Sequence, residues 1–222
     1  MNKEFILTED GSHTIYIPEM DEHYHSVHGA IQESLHIYIN QGLLFSGKKT
    51  LSVLEIGFGT GLNAWLTYCY AFQKKLSVNY LSLEKYPLSE SEYILLNYPS
   101  IIFPEYAKAF LDIHGARWNT DVEISPEFTL HKCEADLQNF RFDEGKKFDL
   151  VYYDAFAPGK QPEMWTDEII AKVAGCVEIG GILVTYCAKG SVRRSFTTTG
   201  FTMERIEGPI GKKEILRGKK TI

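Results

Sequence analysis

Apolar and polar positions alternate with two different periods along this chain, and the periods change at regular intervals. LSVLEI (Leu51–Ile56) is a short apolar run of strand length, and the stretch from Leu62 to Phe72 carries apolar residues at helical spacing. VNYLSLE (Val78–Glu84) predicts the next strand, followed by a helix over Ser89–Tyr98 with acids in its first turn. Tyr106–Ile113 predicts a further helical piece. FTLHKCEAD (Phe128–Asp136) contains a third strand and Phe148–Tyr153 forms a fourth. Thr166, followed by Asp167 and Glu168, predicts the N-cap of a helix running to about Cys176. Ile182–Cys187, preceded by Gly180-Gly181, is a fifth strand, and a short helix follows over 191–199. FTMERI and EILRG then read as two strands joined through GPIGKK in a hairpin.

Strands that alternate with helices predict an α/β protein with a parallel, doubly wound sheet. The closing hairpin brings the expected total to seven strands and places antiparallel pairing at one edge. Residues 1–50 are less regular. They hold strand pieces at Phe5–Leu7 and Thr14–Ile17, then a helix over 29–44 with Ile31, Leu35, Ile39 and Leu43 on one face. No internal repeat or low-complexity linker interrupts the chain. The expected organisation is an extension over 1–48 packed on a catalytic domain over 49–222.

Composition narrows the class. Hydrophobic residues at 44% and charged residues at 23% suit a globular domain of 222 residues with a sizeable core. No apolar run approaches the ~18 residues of a membrane span, and MNKEFILTEDG is too short and acidic for a secretory signal. Cys69, Cys133, Cys176 and Cys187 are dispersed without a CxxC pair, so reduced structural thiols and a cytoplasmic location are expected. The net charge of −6 hides an asymmetry: from Lys189 onward nine basic residues face three acidic ones, leaving −12 on residues 1–188. That basic segment is either a phosphate footprint or a solvated tail.

The chemistry concentrates where strands end. VLEIGFGTGLN places Gly57, Gly59 and Gly61 between the first strand and its helix, where glycine admits positive φ and close approach of a ligand. Leu62 stands where the dinucleotide fingerprint requires glycine, and Glu55 just before the loop would repel a pyrophosphate, so a nicotinamide dehydrogenase is disfavoured. Glu84 ends the second strand, in the position from which an acid accepts ribose hydroxyls. Asp136 follows the third strand, within reach of an adenine amino group, and Asp154 closes the fourth. Four successive strands thus bring a carboxylate to or near the edge where open α/β sheets bind ligands. Asp154 in DAFAP is the oddest of them, because a carboxylate at the lip of a buried strand is costly to desolvate unless something pairs with it. HYHSVH offers His23, His25 and His28, but nothing nearby completes a metal site, and no metal is expected.

Taken together, EIGFGTGLN, SLEKYPL, YYDAFAPGKQPEMW and SVRRSFTTTGFTMERIEGPIGKKEIL resemble one family, with DEHYHS and GAIQESLHIYI in support. It is the methyltransferase part of the tRNA 5-methylaminomethyl-2-thiouridine biosynthesis protein MnmC and its stand-alone form MnmD, and the likeness runs from about Asp21 to Gly218. The resemblance implies a Rossmann-like class I fold dependent on S-adenosyl-L-methionine. It further implies methylation of 5-aminomethyl-(2-thio)uridine at the tRNA wobble position, without the FAD-dependent oxidase domain of the bifunctional members. By the same resemblance Glu55, Gly57, Phe58, Gly59, Gly61, Asn63, Glu84, Lys85, Asp136 and Asp154 would hold the cofactor, and Asp154 would sit where the methyl group is transferred. Such a carboxylate would position the substrate amine and accept its proton, or else ligate the cofactor's amino group. Tyr24, Phe156, Pro158 and Trp165 would form the substrate pocket, and Lys189, Arg193, Arg194, Lys212 and Lys213 would meet tRNA phosphates. A methyl- or aminopropyltransferase acting on a small amine would share the acidic pocket without needing the basic segment. A non-catalytic adenosine-binding module would have no use for Asp154 and its DAFAP wall.

Overall fold

The computed structural model describes residues 2–222. Its N-terminal part is a three-stranded antiparallel sheet of β1 (Glu4–Leu7), β2 (His13–Ile17) and β3 (Glu22–His23). The turn between β1 and β2 serves the next element. Asp10 accepts hydrogen bonds from Thr8 Oγ1, Ser12 N and Ser12 Oγ, and its second oxygen accepts from Gln32 N at 3.0 Å. It therefore caps α1 (Ala30–Ser34) from a distance, since Gly29 at the N-cap has no side chain to do so.

The helix expected over 29–44 is present, but only its first turn is α-helical. Leu35–Leu44 continues as a π-helix. This wider winding buries three consecutive residues, Ile37, Tyr38 and Ile39, where an α-helical stripe would turn one of them outward. Gly42 lies on the sheet beneath, where a Cβ would stand 3.1 Å from the Tyr152 ring.

The large sheet contains β4 (Thr50–Ile56), β5 (Ser77–Glu84), β6 (Asp121–Ser125), β7 (Phe128–Glu134), β8 (Phe148–Tyr153), β9 (Val177–Thr185), β10 (Phe201–Glu207) and β11 (Glu214–Lys220). Their spatial order is β10-β11-β9-β8-β4-β5-β7-β6, with β4, β5, β7, β8 and β9 parallel. Two features depart from the seven-strand expectation. An eighth strand, β6, pairs antiparallel with β7 at the far edge. The hairpin folds back so that its last strand, β11, inserts between β9 and β10, which puts the antiparallel strand inside the sheet and leaves β10 outermost.

Helices α2 (Leu62–Lys74), α3 (Glu90–Tyr93), α4 (Tyr98–Ile101), α5 (Ala107–Gly115), α6 (Asp167–Gly175) and α7 (Gly190–Thr198) cover the faces. The helix expected over 89–98 is split into α3 and α4. Ser89 and Glu92 form a capping box that starts α3, but Asn97 is diverted into contacts with Gly11 O and His13 N. Pro99 then restricts the residue before it and starts a new turn. The Gly180-Gly181 pair lies inside β9 as an irregularity in its pairing with β8, not before the strand.

Alternate residues of the central strands enter two cores. Val53, Tyr80, Leu130, Leu150, Tyr152 and Val184 meet α2, α5 and the π-helix. Leu54, Ile56, Leu83, Val151, Tyr153 and Leu183 meet α6 and α7. Because β4 is flanked by β5 on one side and β8 on the other, chain order reverses between β4 and β8. A cleft opens at such a switch point, beyond the carboxyl ends of the strands.

Candidate active site

The glycine loop and the end of β8 are pressed together at this switch point. Asp154 N donates to Ile56 O, and Gly57 passes so close that a Cβ would lie 2.7 Å from the Asp154 carbonyl oxygen. Gly57 also has φ of +92°, so both space and backbone conformation require glycine. Gly59 N donates to Glu84 Oε2 at 2.8 Å, while Glu84 Oε1 accepts from Tyr86 N, so this carboxylate ties the loop to the end of β5. Beside it, Lys85 Nζ is 2.9 Å from Asp136 Oδ2. Burial pushes the Asp136 carboxyl upward, but bonds from Lys85 and Gln138 N outweigh this and leave it lower than an ordinary aspartate.

These groups open onto a cavity of about 540 Å³. Its lining holds six carboxylates (Glu22, Glu33, Glu84, Asp136, Asp154 and Glu163) against three lysines (Lys85, Lys160 and Lys212), which favours a cationic ligand over a pyrophosphate.

Asp154 accepts from Tyr38 Oη at 2.5 Å through one oxygen and from Asn63 Nδ2 at 2.8 Å through the other. Burial raises its carboxyl to about 7. Glu33 reinforces that rise, while the bonds from Tyr38 and Asn63 and the Lys212 charge oppose it. The misplaced charge is thus held by two neutral donors and stands at the edge of protonation near neutral pH.

The expected cofactor residues divide by depth. Gly57, Phe58, Gly59, Glu84, Lys85, Asp136 and Asp154 line the cavity. Phe58 is wedged there, edge-on to Trp118 and His114. Gly61 and Asn63 lie behind the lining. Gly61 starts α2 in the left-handed region, where a Cβ would meet His114 Nε2 at 2.7 Å, and Asn63 acts through Asp154. Glu55, expected among the cofactor residues, does not line the cavity. Its side chain is fully buried and bonded to Ser82 Oγ at 2.6 Å, because alternation along β4 puts it, with Leu51 and Val53, on the face covered by α2.

The expected substrate pocket divides as well. Tyr24 and Phe156 meet edge to face across the cavity, with ring centres 5.1 Å apart. Trp165 lies behind the lining, where its Nε1 donates to Phe156 O at 2.7 Å and braces the DAFAP loop. Pro158 also lies outside the lining, further along that loop. The three histidines have separate partners: His25 bonds Thr60 Oγ1, His28 pairs with Glu9, and His23 packs on Tyr16.

Sequence reasoning missed Tyr38 and Tyr186, and it quoted Glu33 only as part of a resembling segment. Glu33, 6% exposed, accepts from Ser26 N and lies 3.3 Å from Lys212 Nζ. Lys212 in turn stands 4.9 Å above the Tyr186 ring, and Tyr186 Oη bonds Ala155 O. The spacing of Glu33 and Tyr38 gave no signal, since five residues separate differently facing positions on an α-helix; Tyr38 meets Asp154 from the π-helical stretch. Lys212, expected among the phosphate-binding residues, faces the cavity. Lys189, Arg193, Arg194 and Lys213 remain exposed, with Arg193 and Arg194 on α7. Arg217, which contributed to the basic segment's charge, is buried against Glu204, Gln41 and the Phe45 ring.

A doubly wound sheet with an acidic cavity at its switch point, floored by a glycine loop, defines a domain for a cationic adenosyl ligand. Residues 105–221, more than half of the chain, match the family model described as S-adenosyl-L-methionine-dependent methyltransferase, and the chain belongs to that family. It is 31% identical over 220 residues to the tRNA 5-methylaminomethyl-2-thiouridine biosynthesis bifunctional protein MnmC of Pseudomonas entomophila, covering 91% of this chain and 33% of that protein. The protein of the same name from Cupriavidus metallidurans is 28% identical over 228 residues, covering 96% and 33%. The chain therefore spans about a third of the length of the curated relatives it matches. The crystal structure of MNMC2 from Aquifex aeolicus superposes with a TM-score of 0.78 at 26% identity, over 98% of this chain and 70% of that one. S-adenosyl-L-methionine, with its sulfonium and ammonium charges, fits the excess of carboxylates and the glycine cradle beside Glu84.

Proposed function

We propose that this chain methylates the primary amine of 5-aminomethyl-(2-thio)uridine at the wobble position of tRNA. The observation that carries the proposal is Asp154, a carboxylate held by Tyr38 and Asn63 at the mouth of an acidic cavity, with a carboxyl balanced near 7. Bound S-adenosyl-L-methionine supplies an electrophilic methyl group on a positively charged sulfur. Asp154 receives a proton from the substrate ammonium, which frees the nitrogen lone pair for attack, and a group poised near the working pH is suited to that transfer. Phe156 and Tyr24 provide faces for the uracil ring. Glu84 and Asp136 supply acceptors for the adenosine end, and residues 1–48 act as an extension that roofs the cavity. Lys189, Arg193, Arg194 and Lys213 form the phosphate-contacting surface, and their exposure supports that part of the reading.

The relatives' names and the superposition with MNMC2 favour tRNA over a small amine. Methyl-labelled S-adenosyl-L-methionine incubated with total tRNA from a strain lacking this activity tests the proposal. Label is expected in 5-methylaminomethyl-(2-thio)uridine after nucleoside digestion, whereas label only in small amines would overturn it. Asp154→Ala is expected to abolish transfer with RNA binding retained. A defect confined to cofactor affinity would instead make Asp154 a cofactor ligand.

A further inference from the structure

Glu55 is the buried acid left without a place in this chemistry. Its side chain is 0% exposed, and the groups that face it are Ser82 and Tyr80 of β5, Asn63 of α2, Tyr152 of β8 and Asp154 just after β8. None of these is cationic. Ser82 Oγ donates to Glu55 Oε2, but Glu55 Oε1, Asn63 Oδ1 and the Tyr80 hydroxyl are buried with no hydrogen-bond partner satisfied. The orientation of Asn63 is set from its other side, because its Nδ2 donates to Asp154 Oδ2. Turned round, its amide oxygen would face a carboxylate.

Counting protons decides the state of Glu55. With an ionised Glu55, the Ser82 hydroxyl points at the carboxylate, and Asn63 Oδ1 has no donor within this cluster. One further proton on Glu55 gives Asn63 Oδ1 a donor and leaves the carbonyl oxygen of Glu55 to accept. Burial drives the Glu55 carboxyl well above the usual range, and the Asp154 charge adds to that push, against the opposing polar groups of Ser82, Tyr80 and Asn63.

We infer that Glu55 is a neutral positioning acid: it donates to Asn63 Oδ1 and so holds the Asn63 amide against Asp154. Glu55 then acts two residues removed from the cavity, through Asn63, and keeps Asp154 from turning. This inference rests on the reading that Asp154 receives the substrate amine.

Two near-isosteric variants separate the possibilities. E55Q retains a donor for Asn63, whereas E55M fills the same space without one. Methyl transfer by E55Q is expected to exceed that by E55M by about fivefold, the worth of one neutral hydrogen bond. S-adenosyl-L-methionine affinity, measured by calorimetry without RNA, is expected to be the same in the two variants at alkaline pH. Its pH midpoint is expected to rise in E55M alone, as Asp154 loses its oriented donor. Difference infrared spectra of wild type against E55Q are expected to show loss of a protonated carboxyl carbonyl band. Equal losses of cofactor affinity in both variants, or the absence of that band, would overturn the inference in favour of an ionised cofactor ligand. The infrared and calorimetric measurements use no tRNA, so failure of the wild type to methylate tRNA would sink the proposed function while leaving them readable.

Discussion

Tyr38→Phe is the perturbation whose size follows most directly from the structure. The Tyr38 side chain is 1% exposed and its hydroxyl donates to Asp154 at 2.5 Å, so phenylalanine removes one donor and almost no packing. A hydrogen bond to a charged group contributes about 1.5–3 kcal/mol. At about 1.4 kcal/mol per pKa unit, its loss raises the Asp154 carboxyl by roughly 1–2 units. From about 7 in the unliganded protein, the variant carboxyl moves to about 8–9, so the ionised fraction at pH 7 falls from about half to between about a tenth and a hundredth. In the proposed reaction the carboxylate is the form that attracts the cationic cofactor and takes the amine proton. Cofactor affinity is therefore expected to increase with pH through about 7 in the wild type, with proton release on binding. Calorimetry in buffers of differing ionisation enthalpy reads that release, and single-turnover methyl transfer across the pH range reads the chemistry. Y38F is expected to shift both midpoints upward by roughly 1–2 units, to be slowed by about 5- to 50-fold at pH 7, and to recover at alkaline pH. A loss of equal size at every pH, or an unmoved midpoint, would refute the argument and leave Tyr38 a purely steric neighbour.

Asp10→Ala is expected to lower stability by about 1–3 kcal/mol in urea unfolding, since it removes a remote helix cap and a half-buried acceptor. Although burial pushes the Asp10 carboxyl upward, its hydrogen bonds leave it below the ordinary value of 3.8. Its contribution is thus present above that value and lost as pH falls below it, so wild type and variant should converge in acid. Gly57→Ala places a methyl group against the Asp154 carbonyl at a positive φ. It is expected to cost about 1–3 kcal/mol by denaturation and to weaken cofactor binding, because the loop and the end of β8 must separate. Charge reversal at Arg193 and Arg194 is expected to weaken tRNA binding and to reduce the slope of log affinity against log salt by about 1 per lost phosphate contact. Unchanged affinity and slope would remove α7 from the RNA surface.

Much of this protein was legible from local pattern. The runs that became β8 and the second half of β9 are nearly continuous because both faces of a parallel sheet are covered there, and burial on both sides leaves a signature that needs no knowledge of neighbours. The glycine loop and the carboxylates at strand ends were visible for a related reason. A doubly wound sheet sends the carboxyl ends of all its parallel strands to one edge, so residues far apart in sequence share a site whenever each ends a strand.

Other features depended on contacts between distant segments. DVEIS carries too few apolar residues to declare β6, which exists because β7 offers it an edge. The split between α3 and α4 reflects the use of Asn97 by the N-terminal sheet. Glu55 and Asp154 both sit near the carboxyl ends of neighbouring strands, yet one packs beneath α2 and the other lines the cavity. Side-chain alternation and the end of the pleat decide that difference, not residue type. Lys212 and Arg217 look alike as members of a basic tail. The insertion of β11 beside β9 carries one to the cavity and buries the other beneath Phe45. The sequence by itself determined the five parallel strands of the sheet and the acids at or near their carboxyl ends. Only the tertiary structure decided which of those acids line the cavity and which is buried away from it, because desolvation and hydrogen-bond partners are properties of the packed surroundings and not of the residue.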